Sequence, residues 1–198
     1  MGSVTAAGSA AIRAYGVRTV IDLRGPDEVS AVASPFGMAI VYCNVLVDGE
    51  HTLKLHEHAK AGTMANQLAD LARPGSGLRA AISAIASAAP AIVVHCQAGR
   101  DRTGIVVAVL LAALGVADDD IVADHCASDA ELIEEYARFR AEHPEIAADM
   151  AERQERREWA MGELLSALRT EHGGGTAYLE HIGVLPGEIR RLRVLLIG

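Results

Sequence analysis

The chain is poor in lysine and in aromatic residues. Only two of its 18 basic residues are lysine, and aromatic residues make up 4% of its 198 positions, so small and branched aliphatic side chains must fill the core. The formal net charge of −8 argues against a nucleic-acid platform, which needs an excess of basic surface. With 51% apolar residues, the chain is predicted to fold as a single domain over residues 1–198.

Long apolar runs and paired cysteines are also missing. The longest apolar run, residues 105–114, is about half of the roughly 20 residues that span a bilayer. Residues 1–11 lack the charged start and apolar middle of a signal peptide. Three cysteines, Cys43, Cys96 and Cys126, form an odd set without a Cys-x-x-Cys pair, which argues against a disulfide framework. We therefore expect reduced thiols and a cytoplasmic location, with secretion without a signal peptide left open.

Three histidines lie close together at His51, His56 and His58. No cysteine or carboxylate stands at a recognisable ligand spacing around them, so a solvated loop or helix face is favoured over a metal site. The sequence predicts no metal and no other cofactor.

Short β-branched runs alternate with helical segments, which predicts an α/β fold with a central, mostly parallel sheet. The predicted strands are residues 17–24, 38–47 and 91–95. The predicted helices between them and just after them are residues 10–15, 78–88 and 103–114. The chain after residue 115 is predicted to be helical, with a capping box at residues 128–131 beginning one helix, Pro144 beginning another that runs to Leu168, and Pro186 beginning the last.

The strongest candidate site is the loop between the third predicted strand and its helix, with the sequence His95-Cys96-Gln97-Ala98-Gly99-Arg100-Asp101-Arg102-Thr103-Gly104. A helix N-terminus stabilises an anion, either a phosphate or a thiolate. That field lowers a cysteine pKa from ~8.5 by one to several units, which makes Cys96 a candidate nucleophile. The planar fork of Arg102 suits two oxygens of a phosphate.

Two smaller residues complete the predicted loop. Gly99 lets the backbone curl so that its amide groups face inward. Thr103 is predicted to donate its hydroxyl to the sulfur of Cys96, which would help the thiolate to leave during hydrolysis of a phosphoenzyme.

The loop resembles the signature of the Cys-dependent protein tyrosine and dual-specificity phosphatases. It is most similar to a bacterial branch whose loop reads His-Cys-x-Ala-Gly-Lys-Asp-Arg-Thr-Gly. The similarity extends over about residues 10–198 through three further segments, residues 16–28, 121–128 and 174–183. It implies a tyrosine phosphatase-like fold and metal-independent hydrolysis of phosphate monoesters through a cysteinyl-phosphate.

The same resemblance implies the partners and the substrate contacts. The substrate would be a phosphotyrosine protein or a phosphoinositide, and the product inorganic phosphate. No nucleic acid or transmembrane segment is implied, and a monomer is favoured. Residues expected to contact the substrate are His95, Gln97, Ala98, Gly99 and Arg100. His95 is expected to hydrogen-bond within the loop rather than to act as a base.

Three departures from the family pattern stand out. Arg100 replaces the usual Lys, which slightly favours a multiply charged substrate, and His125 replaces the usual Tyr. The strand that relatives carry before residue 10 is not recognisable, so we expect it to be missing. Around the loop, Asp22 and Arg24 either support the site or form a plain ion pair.

The general acid that protonates the leaving oxygen is either Asp48 or Asp101. Asp48 lies in a predicted turn after a strand and matches an Asp of the branch, whereas Asp101 lies inside the loop. Either carboxyl group needs a raised pKa, or burial with the substrate, to be protonated near neutrality.

The helices of residues 129–169 form either a lid over the site, as in the branch, or part of the domain body. The apolar residues at issue are Met150, Trp159, Met161 and Leu164. Two other function classes compete with the phosphatase. One is a pseudophosphatase that binds a phosphorylated partner, which intact Cys96, Arg102 and Thr103 argue against. The other is rhodanese-like sulfur or arsenate chemistry, whose loops lack this context.

Overall fold

A computed structural model describes residues 4–26, 28–29, 36, 39–47, 77–148 and 157–198. Within these ranges the strands are β1 (Thr19–Asp22), β2 (Val41–Asn44) and β3 (Ile92–His95). The helices of the first part are α1 (Ala6–Ala14), α2 (Gly77–Ser87), α3 (Asp101–Leu114) and α4 (Asp118–Glu131). Those of the second part are α5 (Ile133–Glu142), α6 (Arg157–His172), α7 (Gly175–His181) and α8 (Pro186–Ile197).

The three strands form one parallel sheet in the order β2-β1-β3. Thr19 is level with Val41 on one side and with Ile92 on the other, and Asp22 is level with Asn44 and His95. All four residues of β1 are buried, as expected of the middle strand of a parallel sheet. The predicted α/β fold with a parallel sheet is therefore confirmed. The carboxyl ends of the strands bring Asp22, Asn44 and His95 to one edge of the sheet.

The main core lies between the sheet and the C-terminal helices. The apolar helix α3 contacts α2, α4, α6 and α7. Its contact with α7 is closest at Gly175, where an added Cβ would lie 2.5 Å from the backbone nitrogen of Ala113, so no larger residue fits there. None of the helices in the described ranges has the length and apolar character needed to cross a membrane. The middle of the core is thus built around the helix that follows the candidate loop.

The predicted helix start at residue 128 is wrong. Residues 128–131 lie inside α4, which already begins at Asp118 with three aspartates in its first turn, where the helix dipole favours negative charge. The Ser128 hydroxyl donates to the carbonyl oxygen of His125 within the helix instead of capping a new one. Pro144 begins a short 3₁₀ turn, Pro144–Ile146, and residues 147–148 are helical. α6 is described from Arg157 onward, so one continuous helix from Pro144 to Leu168 stays a prediction.

The apolar residues considered for a lid have different locations. Met161 and Leu164 on α6 are completely buried in the main core, as ordinary packing predicts. Trp159 is about half exposed. Met150 lies outside the described residues, as do the three histidines between residues 50 and 59. A lid over residues 129–169 stays a prediction.

Candidate active site

The candidate loop connects β3 to α3, as the sequence predicts. Cys96 directly follows the last residue of β3 and is only 3% exposed, so its thiol lies within the main core. Gly99 has φ +69°, a left-handed conformation that glycine adopts without strain. The amide of Gly104 donates to the carbonyl oxygen of Arg100 over 2.6 Å, which starts the first turn of α3. The thiol is therefore held beside a helix N-terminus.

Arg102 is held by a carboxylate from the segment after β1. Its two terminal guanidinium nitrogens donate to the two carboxylate oxygens of Glu28, each over 2.6 Å. Glu28 Oε2 also accepts from the backbone amide of Gly25 over 2.9 Å. The hydrogen bonds from Arg102 lower the pKa of Glu28 below its usual value, so its carboxylate stays ionised near neutrality. The bidentate pair fixes the plane of the guanidinium next to the loop.

Asp22 is the centre of a second network, at the end of β1. Its buried carboxylate accepts from Arg24 Nε and from the second terminal nitrogen of Arg24, the latter over 2.7 Å. It also accepts from the Tyr42 hydroxyl over 2.6 Å. Burial alone would raise the pKa of Asp22, but the hydrogen bonds from Arg24 and Tyr42 outweigh it and lower this pKa from 3.8 to about 2. The network holds the charged side chains of Asp22 and Arg24, together with Tyr42, at the edge of the sheet next to the loop.

His95 lies between this network and Cys96. Its Nδ1 atom is 3.0 Å from the carbonyl oxygen of Cys96, and because a carbonyl can only accept, Nδ1 donates this hydrogen bond. Its Nε2 atom lies 3.7 Å from Asp22 Oδ2. The expected hydrogen bond of His95 within the loop is thus present, and Asp22 lies on the other side of its ring.

Asp22→Asn is expected to lower stability at pH 7 by roughly 2 kcal/mol, because Arg24 and Tyr42 lose a charged acceptor. A carboxyl group with a folded pKa of about 2 and an unfolded pKa of about 3.9 stabilises the fold fully above pH 4. That contribution is lost as the pH falls from about 4 towards 2. Urea unfolding at several pH values should therefore show a shallower acid loss for the variant than for the parent. Asp119→Asn, at an exposed position of α4, is the control, and equal acid losses in D22N and parent would contradict the assignment.

Arg100, expected to contact the substrate, is turned towards α4 and α5. It is 5% exposed and donates to the Tyr136 hydroxyl over 2.7 Å. A second terminal nitrogen lies 3.3 Å from Asp129 Oδ1, and the guanidinium carbon stands 5.5 Å from the centre of the Tyr136 ring. The positive charge of Arg100 is thus paired within the protein, and its contact with a multiply charged substrate stays a prediction.

The other predicted site residues are placed as follows. Asp101 is the exposed first residue of α3, and Gln97 and Ala98 are half-buried in the loop. The Thr103 hydroxyl oxygen is buried and forms no hydrogen bond with any residue that the structure describes, so its bond to the sulfur is not observed. Asp48 lies outside the described residues.

Several contributors have no local signal in the sequence. Glu28 belongs to a motif shared with the branch, but nothing near it predicts the pair with Arg102. Tyr136 meets Arg100 from a helix 36 positions away along the chain. His125 packs on Gly104, where an added Cβ would lie 2.6 Å from its Nδ1 atom, so only glycine fits opposite this ring. In the described ranges, no three His, Cys, Asp or Glu side chains are grouped as ligands for one metal ion.

Known proteins similar to this chain are phosphatases. A tyrosine-protein phosphatase of Nostoc commune is 36% identical over 115 residues, which is 54% of this chain and 39% of that protein. The triple specificity protein phosphatase PtpB of Mycobacterium tuberculosis is 32% identical over 139 residues, which is 61% of this chain and 49% of that protein. The chain thus matches less than half the length of each relative. A family model described as "Tyrosine phosphatase family" matches residues 1–198. The chain belongs to the tyrosine phosphatase family.

Proposed function

We propose that the chain hydrolyses phosphate monoesters, phosphotyrosine in proteins among them, through a cysteinyl-phosphate and without a metal. The observation that carries this proposal is the pairing of a buried Cys96 at a helix N-terminus with an Arg102 that Glu28 holds in a fixed plane. Membership of the tyrosine phosphatase family supports it, as does the description of both relatives as protein phosphatases.

The proposed reaction has two steps. In the first, the Cys96 sulfur attacks phosphorus, the bond from phosphorus to the leaving oxygen breaks, and a carboxyl group gives that oxygen a proton. In the second, water attacks the phosphorus of the cysteinyl-phosphate, which releases inorganic phosphate and the thiolate. Arg102 and the amide groups of the loop stabilise the charge that develops on the phosphoryl oxygens.

A phosphoenzyme trap tests this reaction directly. The protein is mixed with a ³²P-labelled phosphotyrosine peptide in the presence of a metal chelator, quenched within milliseconds, and digested for mass spectrometry. We expect label on the peptide that contains Cys96 and turnover unchanged by the chelator. Turnover without a labelled cysteine, or activity that the chelator abolishes, would contradict the proposal. Binding of the peptide with no turnover would instead favour the pseudophosphatase, which the intact Cys96, Arg102 and Thr103 do not support.

We propose Asp48 or Asp101 as the general acid. Substrates with different leaving groups distinguish between the two. An acid matters most when the leaving oxygen is basic, so Asn at the true acid is expected to slow an alkyl phosphate by about 10²- to 10⁴-fold. The same variant should slow para-nitrophenyl phosphate much less, because nitrophenolate leaves without a proton. The other Asn variant should change both rates similarly. Steady-state kcat values of the two variants on the two substrates decide it, and two variants with the same leaving-group response would exclude both assignments.

The substrate class is proposed more broadly than phosphotyrosine. One relative bears the description "triple specificity", and the resemblance of the loop extends to phosphoinositide phosphatases. We propose phosphorylated proteins or phosphoinositides as substrates. Comparison of kcat/KM on phosphotyrosine, phosphoserine and phosphothreonine peptides with that on inositol-lipid phosphates is the measurement that ranks them.

A further inference from the structure

A pocket of about 210 Å³ lies between the first turns of α3 and the middle of α4. Its lining includes the side chains of Arg100 and Thr103 from the start of α3, and Val107 one turn later. From α4 it includes Ile121 and His125. We call this the α3–α4 pocket. Cys96 and Arg102 do not line it, whereas Gly99, Arg100 and Thr103 of the candidate loop do, so the pocket adjoins the proposed phosphate site.

Three of the residues that line this pocket each carry a buried polar atom with no hydrogen-bond partner in the part of the chain that the structure describes. The atoms are Arg100 Nε, the Thr103 hydroxyl oxygen and His125 Nε2. The residues Arg100 and His125 are only 5% and 7% exposed. Buried polar groups in native proteins almost always have a partner, because leaving one unpaired costs its full desolvation. Three such atoms around one pocket indicate a ligand with matching polar groups.

The charges around the pocket disfavour an anion. The positive charge of Arg100 is already balanced by Asp129 at 3.3 Å, and the carboxylate of Asp124 lines the pocket. Burial, followed by the charge of Arg100, lowers the pKa of His125, so its ring is neutral near pH 7. Asp101 and Asp124 act on the ring in the opposite direction but do not reverse the shift. Among the side chains that line the pocket, none carries an uncompensated positive charge to hold a carboxylate or a phosphate.

Part of the remaining wall is apolar. Val107, Ala108 and Ile121 lie on the two helices that form the pocket, beside the polar residues Asp124 and Ser128. A small ligand with an apolar body and a polar end suits this lining.

We propose that the α3–α4 pocket binds a small neutral molecule that carries a carbonyl or hydroxyl oxygen. Arg100 Nε–H and the Thr103 hydroxyl donate to this oxygen, and His125 Nε2 forms the hydrogen bond with a second polar group of the ligand. The apolar body lies against Val107 and Ile121. This site is additional to the proposed phosphatase reaction and does not depend on it.

A matched pair of probes tests both the site and its preference for neutral ligands. Isobutyramide and isobutyrate have the same shape and size, but only the second carries a charge. NMR titration follows the imidazole resonances of His125 and the methyl resonances of Val107, with inorganic phosphate as a third probe. We expect isobutyramide to bind with a Kd of about 1 mM and to show intermolecular nuclear Overhauser effects to the Val107 methyl groups. Isobutyrate should bind at least about tenfold more weakly, and phosphate should leave these resonances unchanged.

Val107→Phe fills the pocket and is expected to weaken isobutyramide binding at least about tenfold. Val194→Phe is the matched control, because Val194 is 72% exposed on α8, and it should leave the Kd unchanged. If Val107→Phe does not fold, the nuclear Overhauser effects in the parent protein decide the location. The proposal is overturned if isobutyramide leaves His125 and Val107 unperturbed, if isobutyrate binds equally well, or if folded Val107→Phe binds as the parent does. These readouts need no turnover, so an inactive protein would not mask the result.

Discussion

Cys96→Ser is expected to reduce hydrolysis of para-nitrophenyl phosphate by at least about 10⁴-fold. A serine hydroxyl is not ionised near neutrality, so it provides no anion for the helix N-terminus to stabilise. The substitution removes little volume from the core in which Cys96 is buried, so the fold should survive. The measurement is kcat on an aryl phosphate, with circular dichroism and thermal unfolding to compare the folds.

Cys126→Ser is the matched control for this change. Cys126 lies on α4, half-buried, and burial raises the pKa of its thiol, so it is a poor nucleophile. Its replacement should leave kcat within about threefold of the parent, since it removes only a packed thiol. Undiminished hydrolysis by Cys96→Ser would exclude the cysteinyl-phosphate reaction.

Arg102→Lys should lower kcat by about 10²- to 10³-fold on the same substrate. A lysine keeps the positive charge, but its point-like ammonium group cannot donate two parallel hydrogen bonds to Glu28 or to a phosphate. Because the plane of the guanidinium is lost, the loss should appear mainly in kcat, where charge develops on the phosphoryl oxygens. KM should change less.

Arg79→Lys provides the control for the effect of exchanging an arginine. Arg79 lies on α2, and its Nε donates to the carbonyl oxygen of Gly183 over 2.8 Å, away from the loop. We expect normal kcat for this variant. A kcat for Arg102→Lys equal to that of Arg79→Lys would show that the guanidinium geometry has no part in the reaction.

Elements with strong local signals were predictable. Residues 91–95 and 103–114 form a continuous apolar strand and an apolar helix ending at a glycine, and β3 and α3 lie there. The boundary at Ser128 was wrong because a capping-box pattern acts only weakly against packing. α4 is buried at Ile121 and His125 and runs on through the pattern to Glu131.

The candidate site was predictable where it is contiguous in sequence and not where it is assembled from distant segments. The loop from His95 to Thr103 carries its own pattern. The partners that hold it, Glu28 for Arg102 and Tyr136 for Arg100, come from other elements, and no periodicity or spacing relates them to the loop. Arg100 turns into the protein because Asp129 lies within its reach. The position of Asp129 is set by the packing of α4.

The order of the strands has a consequence for how the protein is made. The middle strand, β1, is synthesised first, but its partner β3 is complete only when His95 has been added opposite Asp22. Pairing between such distant segments is slow, because the intervening chain must close a long loop. Cys96 is the next residue after that pairing. On a nascent chain its thiol is therefore exposed until β1 and β3 pair, and that pairing also buries the proposed nucleophile.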